Sequence, residues 1–198
     1  GLPLPDPECR IVDTDTGDTL ADFTIDGVTK PGELQVKGPQ VMKGYWQNPD
    51  RTADNIKEYE RKRWLLTGDI GYMDTDGRIT IRDRKKQLIK VAGHSVFPKE
   101  VETLIGDHPD VLEVAVAGLP DRKTGEAVKA WVSLKPHAIG KLDRATLLAW
   151  CRENITSWKV PKYLEFIEHV PKNIIGKVLR RELQENDPLF TPSTPTEP

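Results

Sequence analysis

Cysteine is scarce in this 198-residue sequence, where Cys9 and Cys151 are the only two. That excludes a disulfide framework and a Cys-rich zinc site, and it fits a reducing compartment, so a cytoplasmic location is expected. Histidine is nearly as sparse. His94, His108, His137 and His169 lie too far apart for a local metal motif, and no metal ligand is assigned. No apolar run approaches the ~18–20 residues that cross a bilayer, so no transmembrane segment is expected. The opening GLPLPDPECR has no charged leader followed by an apolar stretch, unlike a signal peptide. It also lacks Met, and further sequence upstream is expected. Neither sign of charge dominates: 29 Lys and Arg face 31 Asp and Glu, for a net charge of −2. No global field would hold nucleic acid or an anionic membrane, and neither is expected as a partner.

What is present reads as α+β: the β-rich end of a large domain over residues 1–84, then a small mixed α/β domain over 85–187. CRIVD, GELQVK and GRITIR alternate apolar and polar residues between turn-forming Gly, Pro and Asp, as half-buried strands do. NPDRTADNIKEY reads as a short helix, with Asn48 or Asp50 near its cap and Pro49 in its first turn. After Lys90 the period changes. FPKEVETLIGDHP predicts a helix with Val101, Leu104 and Ile105 on one face, and RATLLAWCRENI a second helix behind an Asp143 cap. LEVAVAGL and VKAWVSLK read as strands separated by a loop PDRKTGEA, KYLEFIEHV as a last strand, and KVLRRELQEN as a last short helix. The Pro-rich end, 188–198, is expected to be a disordered tail.

Chemistry concentrates in LLTGDIGYMDTDGRITIRDRKKQLIK, residues 65–90. Asp69 follows Thr67-Gly68 after the strand-like WLL, so its carboxylate is expected to project from a strand end. Two acceptor oxygens there suit a vicinal diol such as ribose, while an isolated Gly-Asp reads first as a turn Asp that bonds its own backbone. The basic run Arg82, Arg84, Lys85, Lys86 and Lys90 is broken by Asp83, and no aromatic residue lies between Tyr72 and Phe97 to stack a base. It therefore reads as a charged connection between two domains, with a phosphate or ribose contact by Arg84 as the alternative. Lys177 follows Gly176 just before the last helix. A Walker loop would need Gly at 171 and Ser or Thr at 178, where this sequence has Pro171 and Val178.

In combination these features resemble one family. GELQVKGPQVMKGYWQNPDRTA, WLLTGDIGYMDTDGRITIRDRKKQLIKVAGHSVFPKEVE, HPDVLEVAVAGLPDRKTGEAVKAWVSLK and VPKNIIGKVLRREL are similar, in order, to the C-terminal portion of the adenylate-forming enzymes. That superfamily includes acyl-CoA synthetases, firefly luciferase and peptide-synthetase adenylation domains. The resemblance runs from about Leu2 to Asn186. It implies that Asp69 accepts hydrogen bonds from the ATP ribose, that Arg84 contacts the same nucleotide, and that Lys86 is an interdomain hinge. It implies that Lys177 is the catalytic lysine of adenylation, and that Lys90 and Gly93 line the approach of the CoA thiol. Leu66, Ala92 and His94 depart from residues frequent in relatives.

The family's phosphate loop, its magnesium-holding Thr-Glu pair and its acyl pocket have no counterpart in this sequence. The chain alone is thus expected to be catalytically incomplete, with an upstream large domain supplying the rest. Lys86 and the Pro-rich end favour the fatty-acid CoA ligases over peptide-synthetase domains. The implied reaction joins a carboxylic acid, ATP with magnesium, and CoA. The competing reading is a noncatalytic nucleotide- or partner-binding module. Neither acyl-chain length nor oligomeric state follows from the sequence.

Overall fold

The computed structural model describes residues 1–59 and 61–190. The chain divides into two compact units, Gly1–Lys86 and Gln87–Pro198.

The first unit is built on an antiparallel five-stranded sheet. Strands β1 (Glu8–Val12), β2 (Gly32–Lys37), β3 (Ile56–Tyr59), β4 (Lys62–Met73) and β5 (Ile79–Arg84) surround the long central β4. β2 lies along one side of β4, while β3 pairs with Lys62–Leu65 and β5 with Asp69–Met73 on that strand. Helix α1 (Pro49–Asn55) opens as expected, with the Asn48 side chain accepting the Arg51 N–H at 2.9 Å. It stops earlier than its pattern predicts. Ile56–Tyr59 leave it as β3, where Ile56 is buried and the sheet ladder outweighs local helix propensity.

Alternation in β2 runs opposite to simple expectation, because Glu33 and Gln35 are buried while Leu34 and Val36 are half-buried. Gln35 is satisfied by Arg10, whose Nε and Nη2 lie 2.9 and 2.7 Å from its Oε1. The Arg10 guanidinium in turn sits 4.1 Å from the centre of the Trp64 ring. Paired polar groups can be buried at little net cost, and here they are.

The second unit joins β6 (Ile89–Val91), β7 (His94–Val96), β8 (Val111–Asp121), β9 (Gly125–Leu134) and β10 (Tyr163–Phe166) in a mixed sheet, ordered β10-β9-β6-β7 with β8 also on β9. Helices α2 (Pro98–Gly106) and α3 (Arg144–Asn154) bury Val101, Ile105, Leu147 and Cys151 against Val116, Val128, Ala130 and Val132 of β8 and β9. Asp143 caps α3, accepting the Thr146 N–H at 2.7 Å.

The β8–β9 loop is shorter than the sequence pattern predicts. Asp121 Oδ1 accepts the N–H groups of Lys123 and Thr124 and the Thr124 hydroxyl, so the strands run on to Asp121 and from Gly125. Helix α4 (Arg180–Glu185) closes the unit. Order continues past the expected start of the tail. The Leu189 N–H reaches Asp187 Oδ1 at 2.9 Å, and Phe190 packs against Ala117, Leu119 and Trp131. The rest of that tail, 191–198, lies outside the described residues.

Candidate active site

In the first unit, Thr67-Gly68-Asp69 does not follow a strand end as its sequence implies. It lies within β4, as a bulge. The β2–β4 register passes from Glu33↔Ile70 to Gln35↔Leu66, so Thr67, Gly68 and Asp69 stand opposite Leu34 alone. Gly68 takes φ of +71°, the left-handed region that favours glycine.

Side chains replace the interrupted ladder. The Thr67 hydroxyl donates to the Leu34 carbonyl at 2.8 Å and accepts the Asp69 N–H at 3.1 Å. Glu33 Oε1 accepts the Gly68 N–H at 3.2 Å. The bulge thus turns the Asp69 carboxylate toward β5, where Arg84 is its register partner.

Arg84 Nε lies 2.8 Å from Asp69 Oδ1, and Arg84 Nη1 donates to the Thr67 carbonyl at 3.3 Å. Asp69 is 25% exposed and Arg84 57%, so a small polar ligand has access to both. A carboxylate beside a guanidinium offers acceptors to a diol and a cation to a phosphate or a ring. Lys85 and Lys86 follow in a single 3-10 turn, Lys85–Gln87. Lys86 is exposed and is the last residue of the first compact unit.

The second unit carries the other predicted residues. β6 and β7 form a hairpin that the sequence reading did not foresee. Ala92 (φ +48°) and Gly93 (φ +83°) make its two-residue turn, both left-handed as such a turn requires. A Cβ at Gly93 would meet nothing within 4 Å. Packing therefore does not demand glycine there, while the backbone angle does. Lys90 lies on β6, its N–H donating to Glu126 Oε2 at 2.6 Å. His94 stacks on Trp158, with ring centres 5.1 Å apart.

Lys177 stands exposed on a tight loop, Asn173–Lys177. Asn173 organises it. Its Oδ1 accepts the N–H groups of Ile175 (3.1 Å) and Lys177 (2.8 Å), and its own N–H donates to the Lys177 carbonyl at 2.9 Å. Gly176, at φ +78°, closes the turn through its N–H to the Asn173 carbonyl at 2.9 Å. Both flanks are pinned. Lys172 pairs with Glu113 of β8, and Arg180 meets Glu102 of α2 with two Nη2 contacts of 2.7 Å. Glu102 also accepts the Val116 N–H at 2.9 Å, which ties the start of α4 to the sheet.

Sequence reasoning missed Glu33, Glu102 and Asn173. Only Asn173 had a local signal, as a turn-forming residue ahead of Gly176. A groove of about 820 Å³ among Leu112, Ile139, Leu142 and Phe166 lies elsewhere in the second unit and contains none of the predicted residues.

Comparison with known proteins adds to this geometry. The family model described as AMP-binding enzyme C-terminal domain matches residues 100–177, and the model described as AMP-binding enzyme matches residues 1–46. The chain is 45% identical, over 93% of its length, to a long-chain-fatty-acid–CoA ligase of Escherichia coli O6:H1. It spans about 30% of that relative. ATP-bound MatB from Rhodopseudomonas palustris superposes with a TM-score of 0.80 at 34% identity, over 93% of this chain and 35% of that one. The o-succinylbenzoate CoA synthetase of Bacillus subtilis, in complex with its acyl-adenylate intermediate, gives a TM-score of 0.75 at 30% identity, over 98% and 36%.

Proposed function

The chain belongs to the AMP-binding enzymes, and from that premise we propose that it is part of an ATP-dependent acyl-CoA synthetase. The reaction joins a carboxylic acid, preferably a fatty acid, to AMP with release of pyrophosphate, then moves the acyl group to the CoA sulfur with release of AMP. The observation that carries this reading is the exposed Lys177 on its Asn173-braced loop, where the match to the C-terminal-domain model ends.

Lys177 acts in the first step. Its ammonium is assigned to the attacking carboxylate and the α-phosphate oxygens, whose charge it balances as the acyl–phosphate bond forms. Holding two anions together is half of that task, and a preset loop lowers its entropic cost. Asp69 accepts the ribose hydroxyls, and Arg84 orients that carboxylate and contacts the same nucleotide. Lys90 and the Gly93 turn line the path of the CoA thiol in the second step, and Lys86 is the pivot between the two. Magnesium, when bound, would supply charge neutralisation to the triphosphate, and the residues proposed to hold it lie outside this chain. No described helix is long and apolar enough to cross a membrane, and a cytoplasmic site of action is part of the proposal.

Relatives of this chain act on different acids by name, so the acid is the property to measure. Full-length protein carrying this chain, given ATP, magnesium and a panel of fatty and aromatic acids, is expected to exchange labelled pyrophosphate into ATP with fatty acids foremost. No exchange with any acid, together with tight nucleotide binding, would instead favour a noncatalytic module.

A further inference from the structure

Glu33 is buried, at 4% exposure, in a strand whose neighbours are already paired. A buried carboxylate is unfavourable unless both oxygens find partners, so what it contacts explains why it is there. Its two oxygens reach two different segments. Oε1 takes the Gly68 N–H at 3.2 Å, one residue before Asp69, and Oε2 takes the Lys85 ammonium at 2.8 Å, one residue before Lys86. The Gly68 N–H sits in a bulge where ladder bonding is interrupted, and a carboxylate from β2 substitutes for it. Lys85 directly follows Arg84, the partner of Asp69. One side chain thus fastens both ends of the nucleotide-facing pair.

We propose that Glu33 is a positioning residue that couples the Asp69 bulge to the hinge. This rests on the reading of Asp69 and Lys86 given above. By fixing Lys85, Glu33 anchors the first unit one residue short of the pivot, and rotation is confined to Lys86 and beyond. By holding the Gly68 N–H, it keeps Asp69 aimed at Arg84 while the pivot turns. A hinge with a fixed end returns the moving unit along a defined arc, which a frayed end would not do.

The anchor is testable in this chain by limited trypsin digestion read by mass spectrometry. Cleavage after Lys86 is expected to exceed cleavage after Lys85 at least tenfold. Glu33→Gln keeps an acceptor for Gly68 but discards the ion pair, and should raise cleavage after Lys85 to the level seen after Lys86. In full-length protein the same variant should slow the thioester half-reaction about tenfold while the KM for ATP in adenylation stays within twofold. Glu33→Ala, which loses both contacts, should also raise that KM about tenfold. Lys85→Met changes the half-buried partner and should reproduce the Glu33→Gln split even if the buried variant folds poorly.

Unchanged cleavage after Lys85 in Glu33→Gln overturns the anchor. Equal loss of both half-reactions with a lowered melting temperature overturns the coupling and leaves a merely structural role. An Asp69→Asn variant with unaltered KM for ATP, alongside the expected cleavage pattern, overturns the nucleotide reading and not the anchor.

Discussion

Asn173 holds Lys177 by its backbone and not by its ammonium: the Asn173 Oδ1 accepts the Lys177 N–H at 2.8 Å while the lysine side chain stays exposed. In the role proposed for Lys177, aim and chemistry are thereby divided between two residues. Lys177→Ala should lower adenylation at least a hundredfold, measured as pyrophosphate exchange, and leave thioester formation from preformed acyl-AMP within a few-fold of normal. Asn173→Ala should lose about tenfold in the same step and add nothing in the Lys177→Ala background. Comparable loss of both half-reactions in Lys177→Ala would remove the lysine from its assigned role.

Asp69 and Arg84 supply the second expectation. Asp69→Asn keeps the shape but loses the charge that pairs with Arg84 and that the proposed function assigns to a ribose. The KM for ATP should rise about tenfold, near 1.4 kcal/mol, with little change in the affinity for the acid. Steady-state kinetics in both substrates checks this, and an equal rise for the acid would point to a general loss of structure.

Lys86→Pro tests the pivot. Proline fixes φ near −65° and removes an N–H, which restricts rotation at one residue. Each half-reaction measured in isolation should be altered less than the overall turnover, which needs both in sequence. Equal rates for variant and parent in a full cycle would place the hinge elsewhere.

Stability has its own probe in the second unit. Lys129, buried in β9, pairs with Asp187 and with Glu165 at 2.6 Å. Burial alone would lower its pKa, yet the hydrogen bonds that its ammonium donates to Asp187 and Glu165 outweigh that and raise it above the usual 10.5. Because the folded value is the higher one, the stabilisation is complete below the unfolded lysine pKa and fades as pH climbs through the folded value. Asp187→Ala should cost about 3 kcal/mol by leaving a buried ammonium short of a partner, whereas Lys129→Met with Asp187→Leu should cost far less. Urea unfolding at pH 7 and well above pH 10.5 distinguishes these outcomes.

Some of this architecture could be read along the chain and some could not. Helices α2 and α3 were legible because Pro98 at the first position of α2, the Asp143 cap of α3 and their apolar faces are local properties of short windows. β3 was missed since Ile56–Tyr59 continues a helix-like pattern and becomes a strand only through pairing with Lys62–Leu65. The β6–β7 turn has Ala92 where a sequence signal would have Asn or Asp. Asp69 and Lys177 were singled out by motif resemblance, but the groups that hold them were not. Glu33 and Lys85 are 52 positions apart, and Arg180 and Glu102 are 78, so their roles exist only once the chain has folded.

The pinned flanks of the Lys177 loop bear on how far that ammonium can travel. With Lys172 tied to Glu113 and Arg180 to Glu102, the span between them is a short arch on two piers. The Asn173 bonds brace its crown locally, and the piers stand on β8 and α2 of the second unit's core. If Lys177 acts as proposed, any delivery of its ammonium falls to the second unit moving as one, with the loop setting only the heading. A substitution far from Lys177 that loosens either pier would blur that heading without touching the lysine.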